Sequence, residues 1–285
     1  MNALANNNTP SPAHSDEQET DDHRLSVIIP TLNETIYLPR LLDALDAQTY
    51  HPHEIIVADA GSTDDTAAIA RQHGANVVTG GMPAVGRNRG AQAATGDLLL
   101  FFDADVLPEA DFLEQFVSAF AARDLDVATC LVRPIDGYFI DQALHDVSNL
   151  YMLAVQSVVP HAPGFSILVK KSLHEQIGGF DEAMVMAEDH DYVRRASQQG
   201  RFGIVTEASL PVSTRRIRKE GVVPLAVKYL WAESMVMQRK PIYDLPFEYR
   251  FGDFQALALK QSTLKDYVQH QMQHVRRQFA NYVSK

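Results

Sequence analysis

Residues 98–105 read LLLFFDAD, five consecutive apolar side chains followed by two aspartates separated by one residue. A short apolar run of this kind is typical of a strand that is buried on both faces of a sheet. Acidic residues directly after such a strand lie at the edge where open α/β sheets bind their ligands. The stretch therefore predicts a buried strand that presents Asp103 and Asp105 to a ligand.

The rest of the chain alternates short apolar runs with helical periodicity, which is typical of an α/β fold with a mostly parallel sheet flanked by helices. Strands are predicted at 25–29, 54–59, 76–79, 97–103, 126–132 and 165–169, and helices at 63–73, 109–122, 141–158 and 187–199. A further helix is expected near Leu38, with Asn33 and Thr35 as its caps. No glycine precedes Gly61 and no G-x-x-x-x-G-K-S/T motif occurs, which excludes a Rossmann dinucleotide site at the first turn and a P-loop.

Charge divides the chain into three parts within a total of -11. Residues 1–23 have five acids and no Lys or Arg, and their polar composition predicts a disordered acidic tail. Residues 24–212 have a net charge of -13 and contain the α/β pattern. Residues 213–285 have 13 Lys and Arg against 6 Asp and Glu, and we expect a basic, mainly helical segment with helices over 222–240 and 262–283.

Several classes of protein are excluded by composition. The single cysteine, Cys130, cannot form an intramolecular disulfide, so a bridge-stapled secreted scaffold is excluded. The longest apolar run, residues 98–102, is far shorter than the roughly 18 to 20 residues that a membrane span needs. No signal peptide is recognised at the N-terminus. We therefore expect a cytoplasmic protein that does not bind nucleic acid.

The two acids of the D-x-D motif have two interpretations. Two carboxylates separated by one residue, just beyond a buried strand, are costly to hold together unless a cation neutralises them, which predicts a divalent metal site. A solvated acidic turn is the alternative, because Pro108 and Glu109 are typical of a helix start. The motif alone leaves both open.

Five motifs in fixed order make the pattern specific. They are LSVIIPTLNE (25–34), IIVADAGSTDDT (55–66), GRNRGAQAATGDLLLFFDAD (86–105), GGFDE (178–182) and AEDHD (187–191). In this order and spacing the chain resembles the family 2 glycosyltransferases of the GT-A fold, over about residues 25–205. The resemblance implies a single GT-A domain at 24–212 with a C-terminal helical extension at 213–285. It also implies transfer, with inversion, of a sugar from a nucleotide-diphosphate donor, expected to be a UDP-sugar, to a saccharide or lipid-linked acceptor.

The resemblance further implies roles for single residues. The residues implied in donor binding are Pro30, Thr31, Glu34, Asp59, Arg87, Asn88, Asp103, Arg215 and Arg216. Asp59 would hydrogen-bond the uracil ring, and Asp103 would lie near the ribose. Asp105, with Asp103, would hold Mn²⁺ or Mg²⁺, and Asp189 would be the base that deprotonates the acceptor hydroxyl.

Local alternatives stay open beside these roles. Asp59 is also a turn former before Gly61, the GRNRG stretch suits a solvated helix face, and acids at 188–191 suit a helix N-terminus. The arginines of 215–218 are also typical of a solvated, charged surface. The apolar residues of 222–237 could either pack on the domain or contact an anionic membrane, such as the inner face of the cytoplasmic membrane. Two other functions are also open: a catalytically silent nucleotide-sugar binding protein, and a nucleotidyltransferase of related fold.

Overall fold

A computed structural model of the chain describes residues 23–135 and 139–247. The predicted tail, except His23, and the predicted helix at 262–283 lie outside the described residues. The strands are β1 Leu25–Thr31, β2 Glu54–Asp59, β3 Asn76–Thr79, β4 Leu98–Phe101, β5 Val127–Pro134, β6 Ile167–Lys170 and β7 Phe202–Val212. The helices are α1 Leu38–Asp46, α2 Thr66–Gln72, α3 Pro83–Ala93, α4 Phe112–Ala122, α5 Phe139–Val155, α6 Lys171–Gln176, α7 Glu188–Ser197, α8 Arg215–Glu220 and α9 Val222–Met237.

The strands form one sheet in the order β3-β2-β1-β4-β6-β5-β7. All neighbours pair in parallel except that β6 is antiparallel to both β4 and β5. The predicted mostly parallel α/β sheet is therefore confirmed. Its consequence for the site is that β1, β2 and β4 end at the same edge.

Alternate side chains of the central strands enter two cores on opposite faces of the sheet. Val27 and Ile29 of β1 pack with α1 and α4 on one face, whereas Ile28 packs with α3 and α7 on the other. Every residue of β4 is buried, as the apolar run predicts. Burial on both faces fixes the register of β1 and β4, since a shift by one residue would exchange the two faces.

Helix α3 lies unusually close to β1 because glycines face the strand. A Cβ at Gly90 would lie 2.3 Å from Cγ2 of Ile28, and a Cβ at Gly86 would lie 3.0 Å from Cβ of Pro30. This close approach brings Arg87, the residue after Gly86, to the edge of the sheet where β1, β2 and β4 end.

Two local expectations were wrong, and one strand was missed. Helix α1 begins at Leu38 without a side-chain cap, so Asn33 and Thr35 do not cap it. Asn33 instead has φ 56° and its side chain accepts a 2.8 Å bond from the backbone N–H of Thr63, which joins the loops after β1 and β2. Strand β4 ends at Phe101, before the aspartates. Strand β7 was not predicted, because it contains Pro211 and an irregularity in its pairing with β5.

The described part of the basic C-terminal segment is mainly helical, as expected, with α8 and α9 between residues 215 and 237. Leu225 and Ala232 of α9 are buried, whereas Val223, Val227 and Leu230 are 56, 61 and 70% exposed. One side of α9 therefore packs inward while another presents apolar side chains. None of the helices in residues 23–135 and 139–247 has the length and apolarity that crossing a membrane requires.

Candidate active site

The carboxyl ends of β1, β2 and β4 bring predicted site residues to one edge of the sheet. Thr31, the last residue of β1, pairs with Asp59, the last residue of β2, and its hydroxyl donates a 3.3 Å bond to the Asp59 carboxylate. Asp103 and Asp105 follow β4, the other neighbour of β1. Residues from three adjacent strands therefore meet along a single edge.

The Asp59 carboxylate organises the loop after β2. It accepts hydrogen bonds from the backbone N–H groups of Gly61 (3.2 Å) and Ser62 (3.0 Å) and from the Ser62 hydroxyl (2.5 Å). The same hydroxyl accepts a 2.9 Å bond from the N–H of Asn33. Asp59 thus has the turn-forming role, and it remains partly exposed beside the edge where a ligand would bind.

Arg87 links the D-x-D motif to α7 through a buried guanidinium. Its side chain is 4% exposed and donates to Glu188 at 2.8 Å and to Asp103 at 3.0 Å. Gly164 lies against this guanidinium, where a Cβ would be 2.6 Å from Nη2. Burial lowers the pKa of Arg87, but the charges of Asp103, Glu188 and Asp189 raise it more, so the group stays a cation.

Arg215, the first residue of α8, reaches back to the same edge. Its two Nη atoms donate to the two carboxylate oxygens of Glu34 at 2.8 Å each, and its Nε lies 2.7 Å from Oδ2 of Asp105. The guanidinium also lies over the ring of Tyr37, 4.5 Å from its centre. Arg216 is close enough for its charge to lower the pKa of Asp105. The structure therefore brings Glu34, Asp105 and Arg215 together.

Carboxylates outnumber arginines in this cluster. The acids are Glu34, Asp103, Asp105, Glu188 and Asp189, and the arginines are Arg87, Arg215 and Arg216. Burial raises the pKa of Asp105 although Arg215 opposes this, and the like charge of Asp103 raises it further. Burial likewise raises the pKa of Glu34 despite its two bonds to Arg215. The excess of two negative charges would be relieved by a divalent cation.

The carboxylate oxygens of the D-x-D motif suit such a cation. Oδ2 of Asp103 and Oδ1 of Asp105 accept none of the hydrogen bonds found in residues 23–135 and 139–247. Carboxylate oxygens are the ligands that Mg²⁺ and Mn²⁺ prefer. The described residues contain no group of three or more His, Cys, Asp or Glu side chains arranged to hold a metal. A cation at these two aspartates would therefore take its other ligands from substrate and water.

Asp189, in the first turn of α7, is held by backbone N–H groups of the α5–β6 connection and of its own helix. Its Oδ2 accepts a 2.7 Å bond from the N–H of Gly164, and its Oδ1 accepts a 2.9 Å bond from the N–H of His190. Ala187, just before the helix, has φ 59°. The neighbouring Glu188 points to Arg87 instead, so consecutive carboxylates serve different partners.

Asn88 and Pro30 also lie outside the acidic cluster. The amide of Asn88 donates to the carbonyl of Phe180 at 2.9 Å and to Glu182 at 3.0 Å, and it accepts a 2.8 Å bond from the N–H of Phe180. Asn88 therefore fixes the GGFDE loop. Pro30 lies at the end of β1, where it faces α3 at Gly86.

Two contacts were missed at the level of sequence. Glu188 was regarded only as a helix-opening acid, and Tyr37 was not considered. A buried Arg requires an acidic partner, but the burial of Arg87 is visible only in the structure. No spacing rule pairs Tyr37 with Arg215, which are far apart in the chain.

Comparison with known proteins agrees with this architecture. A family model described as glycosyl transferase family 2 matches residues 26–178. Glycosyltransferase AglE of Haloferax volcanii is 28% identical over 190 residues, which cover 62% of this chain and 62% of that protein. The pre-mycofactocin glycosyltransferase of Mycobacterium tuberculosis is 28% identical over 213 residues, 66% of this chain and 42% of that protein. The chain thus spans less than two thirds of the length of these curated relatives.

Solved structures share the fold at low sequence identity. Mannosyltransferase PcManGT from Pyrobaculum calidifontis, in complex with GDP-Man and Mn²⁺, has a TM-score of 0.59 at 23% identity, covering 76% of this chain and 70% of its own. Glucosyl-3-phosphoglycerate synthase from Mycobacterium tuberculosis, in complex with Mn²⁺ and UDP-glucose, has a TM-score of 0.56 at 18% identity, covering 77 and 80%. At these identities the likeness establishes the GT-A fold.

Proposed function

The chain belongs to glycosyl transferase family 2, and from this premise we propose that it transfers a sugar from a UDP-sugar to a saccharide or lipid-linked hydroxyl with inversion. The observation that carries the proposal is the bridge made by Arg87. It connects Asp103 of the D-x-D motif to Glu188, the residue beside Asp189. A donor held at the first acid would therefore lie near the candidate base.

The donor would lie along the shared edge of β1, β2 and β4. Asp59, with Thr31 and Pro30, is the candidate for contact with the base and ribose. Arg215 and Arg216 are the candidates for the diphosphate, since guanidinium groups bind phosphate oxygens bidentately. The support for Arg215 is its position beside Asp105, where it is already 86% removed from solvent.

Mn²⁺ or Mg²⁺ is proposed at Asp105, with Asp103 beside it. Bound there, the cation would supply Lewis-acid stabilisation of the leaving diphosphate. The two aspartates would orient it, while Arg87 keeps the first of them in place. The support is the excess negative charge of the cluster and the raised pKa of Asp105, which a cation would lower.

Asp189 is proposed as the general base. It would take the proton of the acceptor hydroxyl as that oxygen bonds to C1 of the sugar. The bond from C1 to the diphosphate oxygen breaks in the same step, and its electron pair leaves with UDP. Attack from the face opposite the leaving group inverts the configuration. The bonds from Gly164 and His190 hold the carboxylate in one orientation for this task.

We propose residues 24–212 as the catalytic domain and 213–285 as a segment that completes it through Arg215 and contacts anionic membrane on the cytoplasmic side. The support is the exposed apolar side of α9, at Val223, Val227 and Leu230, in a basic segment. Binding to vesicles with anionic lipid, lost in Val227→Asp/Leu230→Asp, is expected in a flotation assay. Equal flotation with neutral vesicles contradicts an electrostatic contribution to membrane binding.

The test of the transferase is a panel of nucleotide sugars measured by thermal shift with Mn²⁺ or EDTA, followed by turnover of the best donor. We expect stabilisation by one UDP-sugar only with metal. Asp189→Asn should keep donor binding and lose transfer, because only the base is changed. Binding without any turnover by the unaltered protein favours the catalytically silent alternative, and transfer by Asp189→Asn means that another group is the base.

A further inference from the structure

A buried histidine beside the candidate base is held by two acceptors. His161, 2% exposed, lies in the loop between α5 and β6. Its Nε2 is 2.9 and 3.0 Å from the two carboxylate oxygens of Glu233 on α9, and its Nδ1 is 2.5 Å from the carbonyl oxygen of Val159. The Tyr151 hydroxyl of α5 donates to the same carboxylate at 2.6 Å. Three separate elements thus meet at this ring.

The partners of the ring define its protonation state. A carbonyl oxygen only accepts hydrogen bonds, and so does a carboxylate, so both ring nitrogens must carry a proton to be satisfied. Burial alone lowers the pKa of His161, but the bonds to Glu233 and Val159 and the charges of Glu233 and Asp189 raise it more, giving a net increase. The geometry of the two acceptors and the raised pKa both favour the doubly protonated ring.

The ring of His190 lies between His161 and Asp189. His161 packs edge to face on His190 with ring centroids 4.7 Å apart. His190 Nε2 lies 3.8 Å from Oδ1 of Asp189, and the N–H of His190 donates to that oxygen. Nδ1 of His190 is buried and has no hydrogen-bond partner among the described residues, so its ring is located by packing on His161.

We propose that His161, in the doubly protonated form that its two acceptors require, is a positioning residue that sets the orientation of Asp189 through the ring of His190. The inference rests on the proposed function, in which Asp189 is the base. It gives α9 a second task, because Glu233 is the counter-ion that the C-terminal segment contributes to the site. The charged and titratable groups that face His161 are Glu233 of α9, Tyr151 of α5, and His190 and Asp189 of α7.

The first test measures His161 directly by NMR of the full chain with labelled histidine. The His161 signal is identified by its loss in His161→Gln. We expect a titration midpoint above the roughly 6.5 of an ordinary histidine and a fall of about one unit or more in Glu233→Gln. Glu220→Gln is the matched control. Glu220 lies on α8 in the same C-terminal segment, and its carboxylate pairs with Lys228 of α9 at 2.7 Å. This variant should leave the midpoint unchanged.

The second test is the pH dependence of UDP release from the best UDP-sugar of the panel, with water as acceptor. If doubly protonated His161 positions the base, turnover should fall as His161 loses its second proton, and in Glu233→Gln this alkaline limb should move to lower pH together with the His161 midpoint, because Glu233 stabilises the protonated ring. Glu220→Gln should keep the limb of the unaltered protein. A merely structural role for Glu233 would lower the rate at every pH without moving the limb.

Two results overturn the inference. One is an identical His161 midpoint in the unaltered protein and Glu233→Gln. The other is an unmoved limb in Glu233→Gln while Asp189→Asn abolishes turnover, which refutes the positioning role and leaves the base in place. Full turnover by Asp189→Asn refutes the base itself, so the two failures are distinguishable.

Discussion

Replacing Arg87 by Met should destabilise the protein by leaving a buried carboxylate unpaired. The side chains of Arg87 and Glu188 are 4 and 11% exposed, so water cannot replace the lost 2.8 Å bond. Removing one member of a buried pair costs about 3 to 5 kcal/mol. Asp103 is 38% exposed and contributes little to this figure, because solvent screens it. We therefore expect Arg87→Met to lower the free energy of unfolding by about 3 kcal/mol, the lower end of this range. That loss is equivalent to a fall in Tm of roughly 6 to 12 °C.

The assay is urea unfolding followed by circular dichroism, with Arg89→Met as the control. Arg89 lies on the same helix but is exposed and donates to the backbone carbonyls of Thr79 and Gly80, so its loss should cost about 0.5 kcal/mol or less. Adding Glu188→Gln to Arg87→Met should restore more than half of the stability, because the unpaired charge is then gone.

The loss of unfolding free energy in Arg87→Met should also depend on pH. Burial and the charge of Asp189 raise the pKa of Glu188, and loss of Arg87 raises it further. Protonation of Glu188 in the folded variant removes the charge cost, so the deficit is full above that pKa and shrinks as the pH falls through it. A deficit equal to that of Arg89→Met, or one that does not change with pH, refutes the reasoning.

Three further outcomes are expected. Arg215→Met should weaken UDP binding by about 10-fold or more in titration calorimetry, since it removes a charged donor beside Asp105, whereas Lys228→Met should not. Asp59→Asn should lower UDP affinity by about 10-fold while keeping the Tm within a few degrees, because an amide oxygen still accepts the turn hydrogen bonds. Cys130 should resist iodoacetamide in the folded protein and react in urea, because it is buried and burial raises its thiol pKa to about 12.

Most strands of the sheet could be predicted from the sequence, because strands buried on both faces are short apolar runs. The bounds of β2 and β3 are those that the sequence predicts, and the run of β4 is buried throughout. β7 escaped prediction because Pro211 and its irregular pairing interrupt the alternation on which such a prediction depends. α3 packs on β1 through its glycines. Such a tertiary contact is not part of helix propensity, so propensity does not predict this helix.

The site was predictable to the extent that it lies at strand ends. Asp59 and the D-x-D aspartates follow strands, so topology alone brings them to one edge. Glu188 and Glu233 have partners more than 70 positions away, at Arg87 and His161, and no local spacing encodes such pairs. Asn33 failed as a cap because its side chain meets the neighbouring loop instead of its own helix.

Titration calorimetry of UDP, in Mn²⁺ and in EDTA, tests the central claim most directly when the unaltered protein is compared with Asp105→Asn. We expect Mn²⁺ to strengthen UDP binding by the unaltered protein by about 10-fold or more and to have little effect on the variant, since the variant has lost a carboxylate ligand. Equal affinity in EDTA and Mn²⁺ for the unaltered protein contradicts metal-assisted binding of the donor at the D-x-D motif.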